Sequence, residues 1–322
     1  MRAKIIGTGS CLPEKAVTNN DLSALMDTSD EWIKSRTGIS ERRLVSSERE
    51  TTLSMAVNAG KSALANADLL PEDIDLIIVA TVSSDFITPS TACMVQSELG
   101  AVHAAAFDIN AACSGFLFAL NTVDAYFQAG VYQTALIIGV ETLSKIIDWK
   151  DRSTCVLFGD GAGAAVLRAC KEGILANLQG SNGSGGHVLM CKNRTNNNPF
   201  VITDTRPDYL YMDGQEVFKF AVKKETECIQ ELLAKAGLAP TDINWYLLHQ
   251  ANQRIISSIA RKLKLPLDKF PSNLEHCGNT SAASIPILLD EVHRSGVLSN
   301  GDLVLLSGFG AGLTWGAALL RW

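Results

Sequence analysis

The chain repeats itself, weakly but in order, and this constrains its fold more than any other feature. Ala67-Asp68-Leu69-Leu70-Pro71-Glu72-Asp73-Ile74-Asp75 precedes the apolar run Leu76 to Ala80, and Ala236-Gly237-Leu238-Ala239-Pro240-Thr241-Asp242-Ile243-Asn244 precedes Trp245 to Leu248. Ala, Leu, Pro, Asp and Ile recur in register at an offset of 236 − 67 = 169. Gly163-Ala164-Ala165-Val166-Leu167-Arg168 is matched by Gly316-Ala317-Ala318-Leu319-Leu320-Arg321 at 316 − 163 = 153. Two matches in one order point to duplication. Two similar halves are expected, residues 1–172 and 173–322, meeting near Cys170–Gly180. Helical and strand patterns alternate, Thr51–Ala65 then Ile74–Val82 and Glu216–Ala236 then Ile243–Leu248, which predicts an α/β fold with largely buried sheets. The Gly/Ser/Asn-rich stretch Gly180–Pro199 reads as a surface excursion.

With 322 residues, 47% of them hydrophobic, the chain is long enough to bury a large core. No stretch has the ~18 consecutive apolar residues of a membrane span. Met1 to Gly7 runs straight into a strand and a glycine turn, without the apolar core of a secretory signal, so a cytoplasmic protein is expected. The eight cysteines are scattered without a CxxC pair, which fits a reducing compartment and neither a zinc pattern nor a disulfide framework. The histidines show no HExxH spacing, and no metal is expected. A net charge of −6 argues against bulk attraction to nucleic acid.

One cysteine stands out. Val102 to Ile109 reads as a short buried strand, Asn110-Ala111-Ala112-Cys113-Ser114-Gly115 is a run of small residues, and Phe116 to Gln128 reads as a helix stopped by Gly130. The Cys113 thiol is therefore expected on a tight strand-to-helix turn, where free N–H groups and the helix dipole favour a thiolate. A free cysteine more often behaves as a small buried hydrophobe, so a nucleophile also needs a base and an oxyanion site. His249 ends the strand Trp245–Leu248; it reads either as an acid/base or neutral donor, or as a histidine satisfying local backbone. Asn279, in the polar turn Leu274–Ser284, reads either as an oxyanion donor or as a helix cap, and the local pattern favours the cap. Ser307-Gly308-Phe309-Gly310-Ala311-Gly312 is a strand running into a glycine turn able to offer main-chain N–H groups. Gly159-Asp160-Gly161-Ala162-Gly163 offers the same weak signal and fits neither a P-loop nor a dinucleotide fingerprint. Sites in open α/β sheets gather at strand C-termini, so Cys113, His249 and Gly308–Gly312 are expected to share one pocket.

Read as an ordered set, these segments resemble the thiolase superfamily and, within it, the β-ketoacyl-acyl carrier protein synthase III family. The resemblance runs nearly end to end: Asp30-Glu31-Trp32-Ile33 with Arg36-Thr37-Gly38-Ile39, Ala112-Cys113-Ser114-Gly115-Phe116, Phe158-Gly159-Asp160-Gly161-Ala162-Gly163, Gly214-Gln215-Glu216-Val217-Phe218-Lys219, His249-Gln250-Ala251-Asn252, Gly278-Asn279-Thr280-Ser281-Ala282-Ala283-Ser284, and Gly308-Phe309-Gly310-Ala311-Gly312 with Thr314-Trp315-Gly316. It implies a layered αβαβα thiolase fold and the decarboxylative condensation of an acyl-CoA primer with malonyl-acyl carrier protein that starts fatty acid synthesis. The family's triad falls on Cys113, His249 and Asn279. The oxyanion donors would be the N–H groups of Cys113 and Ala311, a position often Gly in the family, and Phe309 would shield the cysteine from water.

CoA is implied as a substrate, with no resident cofactor. Trp32 and Arg152 would flank its adenine, with Arg36 and Thr37 nearby and Asn252 deeper in the tunnel. The family is homodimeric. Its acidic carrier needs a basic face, and Arg254, Arg261 and Lys262 fall at i, i+7 and i+8 of one helix, with Lys219 added by resemblance; a solvated helix face is the ordinary meaning of such spacing. The loop Asp85–Ser90 aligns with one that reaches the partner's acyl pocket, where many members carry Phe in place of Thr88. A smaller residue there would deepen the pocket for longer primers, unless Phe86 or Ile87 refilled it. Relatives sharing the triad but making a quinolone, a polyketide starter or an ester are the alternative. A non-catalytic carrier-binding partner would lack the cysteine, and a cysteine hydrolase would need water at the acyl-enzyme.

Overall fold

The computed structural model describes residues 1–196, 198–201 and 208–322. In chain order the main elements are β1 (Arg2–Cys11), α1 (Asp30–Thr37), α2 (Thr52–Asn66), β2 (Leu76–Ala80), α3 (Thr91–Leu99), β3 (Ala105–Ile109), α4 (Gly115–Gln128), β4 (Thr134–Glu141) and β5 (Gly161–Cys170). They continue with β6 (Ile174–Ser181), α5 (Gly214–Ala236), β7 (Trp245–Leu248), α6 (Gln253–Leu263), α7 (Ser284–Arg294), β8 (Leu303–Gly310) and β9 (Thr314–Arg321). No helix among the described residues is long and apolar enough to cross a membrane.

The repeated proline turn has a local cause. Pro71 and Pro240 each open a one-turn 3-10 helix, the position where a missing N–H goes unnoticed. Three residues into each, an aspartate reaches back to the chain: Asp73 accepts from Leu70 N at 2.9 Å and Asp242 from Ala239 N at 2.8 Å. Just upstream, Asp68 and Gly237 end their helices with φ of 53° and 68°. The turn then releases a strand buried along its length in the first half and nearly so in the second.

One sheet has the order β1-β5-β4-β2-β3 and the other β7-β8-β9-β6. The pairs β2·β3, β2·β4 and β7·β8 are parallel, while β1·β5, β4·β5, β8·β9 and β6·β9 are antiparallel. The two sheets repeat strand for strand except that β3 has no counterpart. Helices α4 and α7 lie between them: Phe116, Leu117, Leu288 and Leu289 share one core with Ile78 and Ile137 of the first sheet and Leu247 and Leu306 of the second. α2 and α3 cover the outer face of the first sheet, α5 and α6 that of the second. The result is the αβαβα layering of the thiolase fold.

Two expectations change. The stretch Val102–Ile109 is not one buried strand. Val102 to Ala104 turn after the left-handed Gly100 that ends α3, and β3 begins at Ala105 as the open edge of its sheet, with Ala105 exposed and Phe107 and Ile109 half-buried. The Gly180–Pro199 stretch is not wholly an excursion either. Gly180 and Ser181 complete β6 opposite Trp315 and Thr314, and Gly186 and Leu189 to Arg194 line the central cavity.

Candidate active site

Cys113 sits in a 3-10 turn, Ala112–Ser114, that feeds directly into α4. Ala112 is held at φ 46°, a strained conformation for a residue with a Cβ, and the turn is pinned around it. Ser114 Oγ donates to Ala111 O, and Thr314 Oγ1, at 2.8 Å from Ser114 Oγ, lies 3.0 Å from both Ala111 O and Ala311 O. The end of β8 presses on this turn. A Cβ on Gly310 would stand 2.6 Å from the Cys113 nitrogen, so only glycine lets the strand run this close to the Cys113 N–H. Burial, with the nearby negative charge of Glu141, pushes the thiol up to about 12.

His249 follows β7. Its backbone N donates to Ser307 O at 2.8 Å, which extends the ladder one residue past the strand. Its Nδ1 lies 2.6 Å from Ser284 Oγ, and Gln250 N donates to the same oxygen. When the Ser284 hydroxyl donates to Nδ1, the proton of the neutral ring sits on Nε2. Burial lowers the imidazole to about 3, so it is uncharged near neutrality. Phe309 meets the ring edge-on at 5.4 Å.

Asn279 behaves locally as the cap its sequence context favoured. Its Oδ1 accepts from Ser281 N at 2.9 Å at the start of the next 3-10 turn, which turns the NH2 end of the amide away from that bond. Gly159 N and Leu157 O hold its backbone.

Cys113, His249, Asn279, Phe309 and Ala311 line one cavity of about 1540 Å³. Its wall also includes Trp32, Arg36, Thr37 and Asn252, and the exposed loop residues Phe86, Ile87 and Thr88. The Arg36 and Arg152 guanidiniums lie 4.6 and 5.0 Å from the Trp32 ring centre. Arg152 also donates to Asp27 O at 2.6 Å and is not part of the cavity wall. The Thr37 hydroxyl is committed to Ile33 O and Ile39 N. Asn252 caps α6 through Arg254 N and donates to Arg36 O, so both ends of its amide are occupied. Arg254, Arg261 and Lys262 are exposed on α6. Lys219, also exposed, is paired with Glu216 at 2.8 Å.

Sequence reasoning missed Glu141. This last residue of β4 is fully buried and pushed up to about 7 by desolvation. It accepts from Ser83 Oγ, Val82 N and Ser281 Oγ. A charged residue closing the apolar run Thr134–Val140 was the available signal, of the same kind that drew attention to His249. The structure also brings His276, Cys277 and Glu291 together with ligand atoms within 4.8 Å, a grouping invisible in sequence spacing; the Arg43 charge faces it.

The family model described as 3-oxoacyl-[acyl-carrier-protein (ACP)] synthase III matches residues 107–183, and its C-terminal companion matches 233–322. A β-ketoacyl-[acyl-carrier-protein] synthase III of Clostridium acetobutylicum is 50% identical over 99% of this chain and 98% of its own length. The crystal structure of 3-oxoacyl-[acyl-carrier-protein] synthase III from Aquifex aeolicus VF5 superposes with a TM-score of 0.93 at 47% identity, covering 99% of this chain and 100% of that one. A priming β-ketosynthase of the R1128 polyketide pathway superposes at 0.92 with 36% identity, covering 99% and 96%. With relatives this similar along their whole length, the chain belongs to the 3-oxoacyl-[acyl-carrier-protein] synthase III family.

Proposed function

We propose that this chain starts fatty acid synthesis: it takes an acyl group from acyl-CoA onto Cys113 and condenses it with malonyl-acyl carrier protein. The observation that carries the reading is the meeting of a thiol, a neutral histidine donor and an asparagine NH2 on one cavity. In the first half-reaction the Cys113 sulfur attacks the thioester carbonyl, the N–H groups of Cys113 and Ala311 hold the oxyanion, and CoA leaves as the thiolate. In the second, the malonyl thioester loses CO2. His249 Nε2–H and the Asn279 NH2 donate to the oxygen that becomes an enolate, where charge develops, and so lower the barrier. The enolate carbon then attacks the acyl-Cys113 carbonyl, Cys113 leaves, and a β-ketoacyl-acyl carrier protein is released. Phe309, packed on His249, helps keep water from the acyl-enzyme.

The stacked Trp32, Arg36 and Arg152 suit the adenine end of CoA, and Thr37 and Asn252 shape the passage inward. The acidic carrier would dock on Arg254, Arg261 and Lys262, with Lys219 contributing once Glu216 releases it. Eight unpaired thiols fit a reducing compartment, the cytoplasm.

A homodimer is proposed from the open edge of β3, whose half-buried Phe107 and Ile109 stand near the exposed end of the sheet. Phe86, 52% exposed, and Ile87, 68% exposed, would be covered by the same partner, and Thr88 would then shape its acyl pocket. Light scattering is expected to give twice the 34.5 kDa chain mass; a monomer at assay concentration would end this part of the reading.

Intact-mass spectrometry with acyl-CoAs of increasing chain length tests the function. One acyl group should add to the protein, be absent in Cys113→Ala, and be discharged by malonyl-acyl carrier protein with release of CO2. The length taken fastest reports on Thr88. Because a polyketide-priming relative is 36% identical, discharge by another acceptor in place of malonyl-acyl carrier protein would favour that second reading. No acylation by any CoA ester would reject the first.

A further inference from the structure

A second group of reactive side chains gathers where the helical turn Leu274–Cys277 meets α7, and none of its members lines the central cavity. The turn is fixed by its own backbone. His276 N and Cys277 N both donate to Asn273 O, at 3.2 and 3.0 Å, and Gly278 closes the turn at φ 66°. Cys277 is buried against Leu12, Ala283 and Ile287. Ile287 lies one helical turn before Glu291 on α7, so the packing that seats Cys277 also brings Glu291 beside it. Glu291 Oε1 stands 3.8 Å from Cys277 Sγ and 3.4 Å from His276 Nε2, and the three ligand atoms lie within 4.8 Å of one another. His276 is exposed, Glu291 half-buried and Cys277 buried, so the group has a buried sulfur at its floor and reaches solvent on the histidine side.

This spacing is loose for hydrogen bonds and close to that of a coordination shell. A good N–H···O bond ends near ~3.2 Å. An ion held at ~2.0–2.1 Å by nitrogen and oxygen and at ~2.3 Å by sulfur sets tetrahedral edges of roughly 3.3 Å for N···O and about 3.5 Å for S···O. The observed 3.4 and 3.8 Å lie close to both edges, and rotation of the exposed His276 ring closes the third. Imidazole, thiolate and carboxylate are ligands of zinc and other late first-row ions; calcium and magnesium take oxygen. We propose that His276 Nε2, Cys277 Sγ and Glu291 Oε1 form a binding site for a divalent cation of the zinc type, with water as the fourth ligand. On binding, the Cys277 thiol releases its proton to solvent and the sulfur donates an electron pair to the metal. Thiolate and carboxylate then cancel the two positive charges, so the loaded site is neutral. The short strand Glu41–Arg43 packs on this turn and brings one charge of each sign towards it. Arg43 opposes a bare cation but not a neutral loaded site, and its Nη1 is drawn to Pro13 O and Glu14 O, each at 3.4 Å. Glu275, next to His276, is held by Ser40 at 3.0 Å and Lys34 at 3.4 Å. The inference is independent of the reaction proposed for the cavity.

Its test is titration of the reduced, metal-free full chain with Co²⁺ and then Zn²⁺, which needs no acyl-CoA. One equivalent of Co²⁺ should give a thiolate-to-metal charge-transfer band with the visible absorption of a tetrahedral ion, and Zn²⁺ should displace it. Cys277→Ser should lose the charge-transfer band. His276→Gln and Glu291→Gln should each weaken Zn²⁺ binding at least about tenfold, read by competition with a chromophoric chelator. Cys113→Ala should keep both the band and the affinity, which separates this site from the thiol of the cavity. Absence of a thiolate band in the native chain overturns the proposal. So does a band that survives in Cys277→Ser or disappears in Cys113→Ala, since the metal would then sit on another cysteine. If Cys277→Ser does not fold, His276→Gln, altered at an exposed side chain, decides instead: affinity for Zn²⁺ equal to that of the native chain overturns the proposal.

Discussion

Replacing His249 with Ala is expected to slow decarboxylation of the malonyl thioester by about 10²–10³-fold, the usual effect of losing one preorganised oxyanion donor. Acyl transfer from acyl-CoA to Cys113 should change by less than about threefold, because the proposed first half-reaction draws on backbone donors at Cys113 and Ala311. The split comes from the protonation of the ring. With burial lowering it to about 3 and Ser284 Oγ at Nδ1, His249 would enter the proposed reaction as a neutral donor through Nε2–H. The condensation rate should accordingly show no histidine ionisation between about pH 5 and pH 8. Measuring CO2 release and acyl-enzyme mass on the same variant separates the two steps. Equal loss in both would mean that His249 also serves the thiol, and the division of labour would fail.

Replacing Glu225 with Leu is expected to stabilise the protein, increasingly so as pH rises. Glu225 lies on α5, fully buried in the apolar core of the second half; its carboxyl reaches only the Ser307 hydroxyl, and neither oxygen makes a well-formed hydrogen bond. Desolvation pushes it from the ordinary glutamate value of 4.5 to about 8. A raised folded value means that the folded state holds its proton more tightly, so this contribution is complete below the unfolded value and is lost as pH climbs through about 8. The native chain should lose about 1.4 kcal/mol per pH unit from this group between about pH 5 and pH 8, on the order of 4 kcal/mol in all. The Leu variant lacks that slope. Denaturant unfolding of both chains at about pH 5 and about pH 8 reads the difference directly. A gap between them that stays constant with pH would show that the carboxyl is not held neutral in the fold.

Much of the site is legible in the sequence, for local reasons. A run of small residues between an extended segment and a helical one marks a tight turn, and the chain makes that turn with Cys113 in it. An apolar strand ending in His249 marks a strand C-terminus, and the glycines at 308, 310 and 312 mark a strand end that lets backbone approach backbone. All three signals are carried by neighbours in sequence. The proline turns are equally plain, since Pro71 with Asp73 and Pro240 with Asp242 complete their own hydrogen bonds within three residues.

The sequence by itself determined the duplication, the alternation of helices and strands, and the placing of Cys113, His249 and the glycine turn at strand ends. Periodicity, turn chemistry and glycine's freedom act over a few residues and can be read from them. Only the tertiary structure decided that β3 is an open edge, that Ser284 Oγ meets His249 Nδ1, that Asn279 Oδ1 accepts from Ser281 N, and that Glu141 is buried against Ser281. Those facts depend on partners such as Ser281 and Glu141, 140 residues apart in the chain. They depend equally on burial, which shifts a carboxyl or an imidazole by excluding water from a site that no local pattern announces.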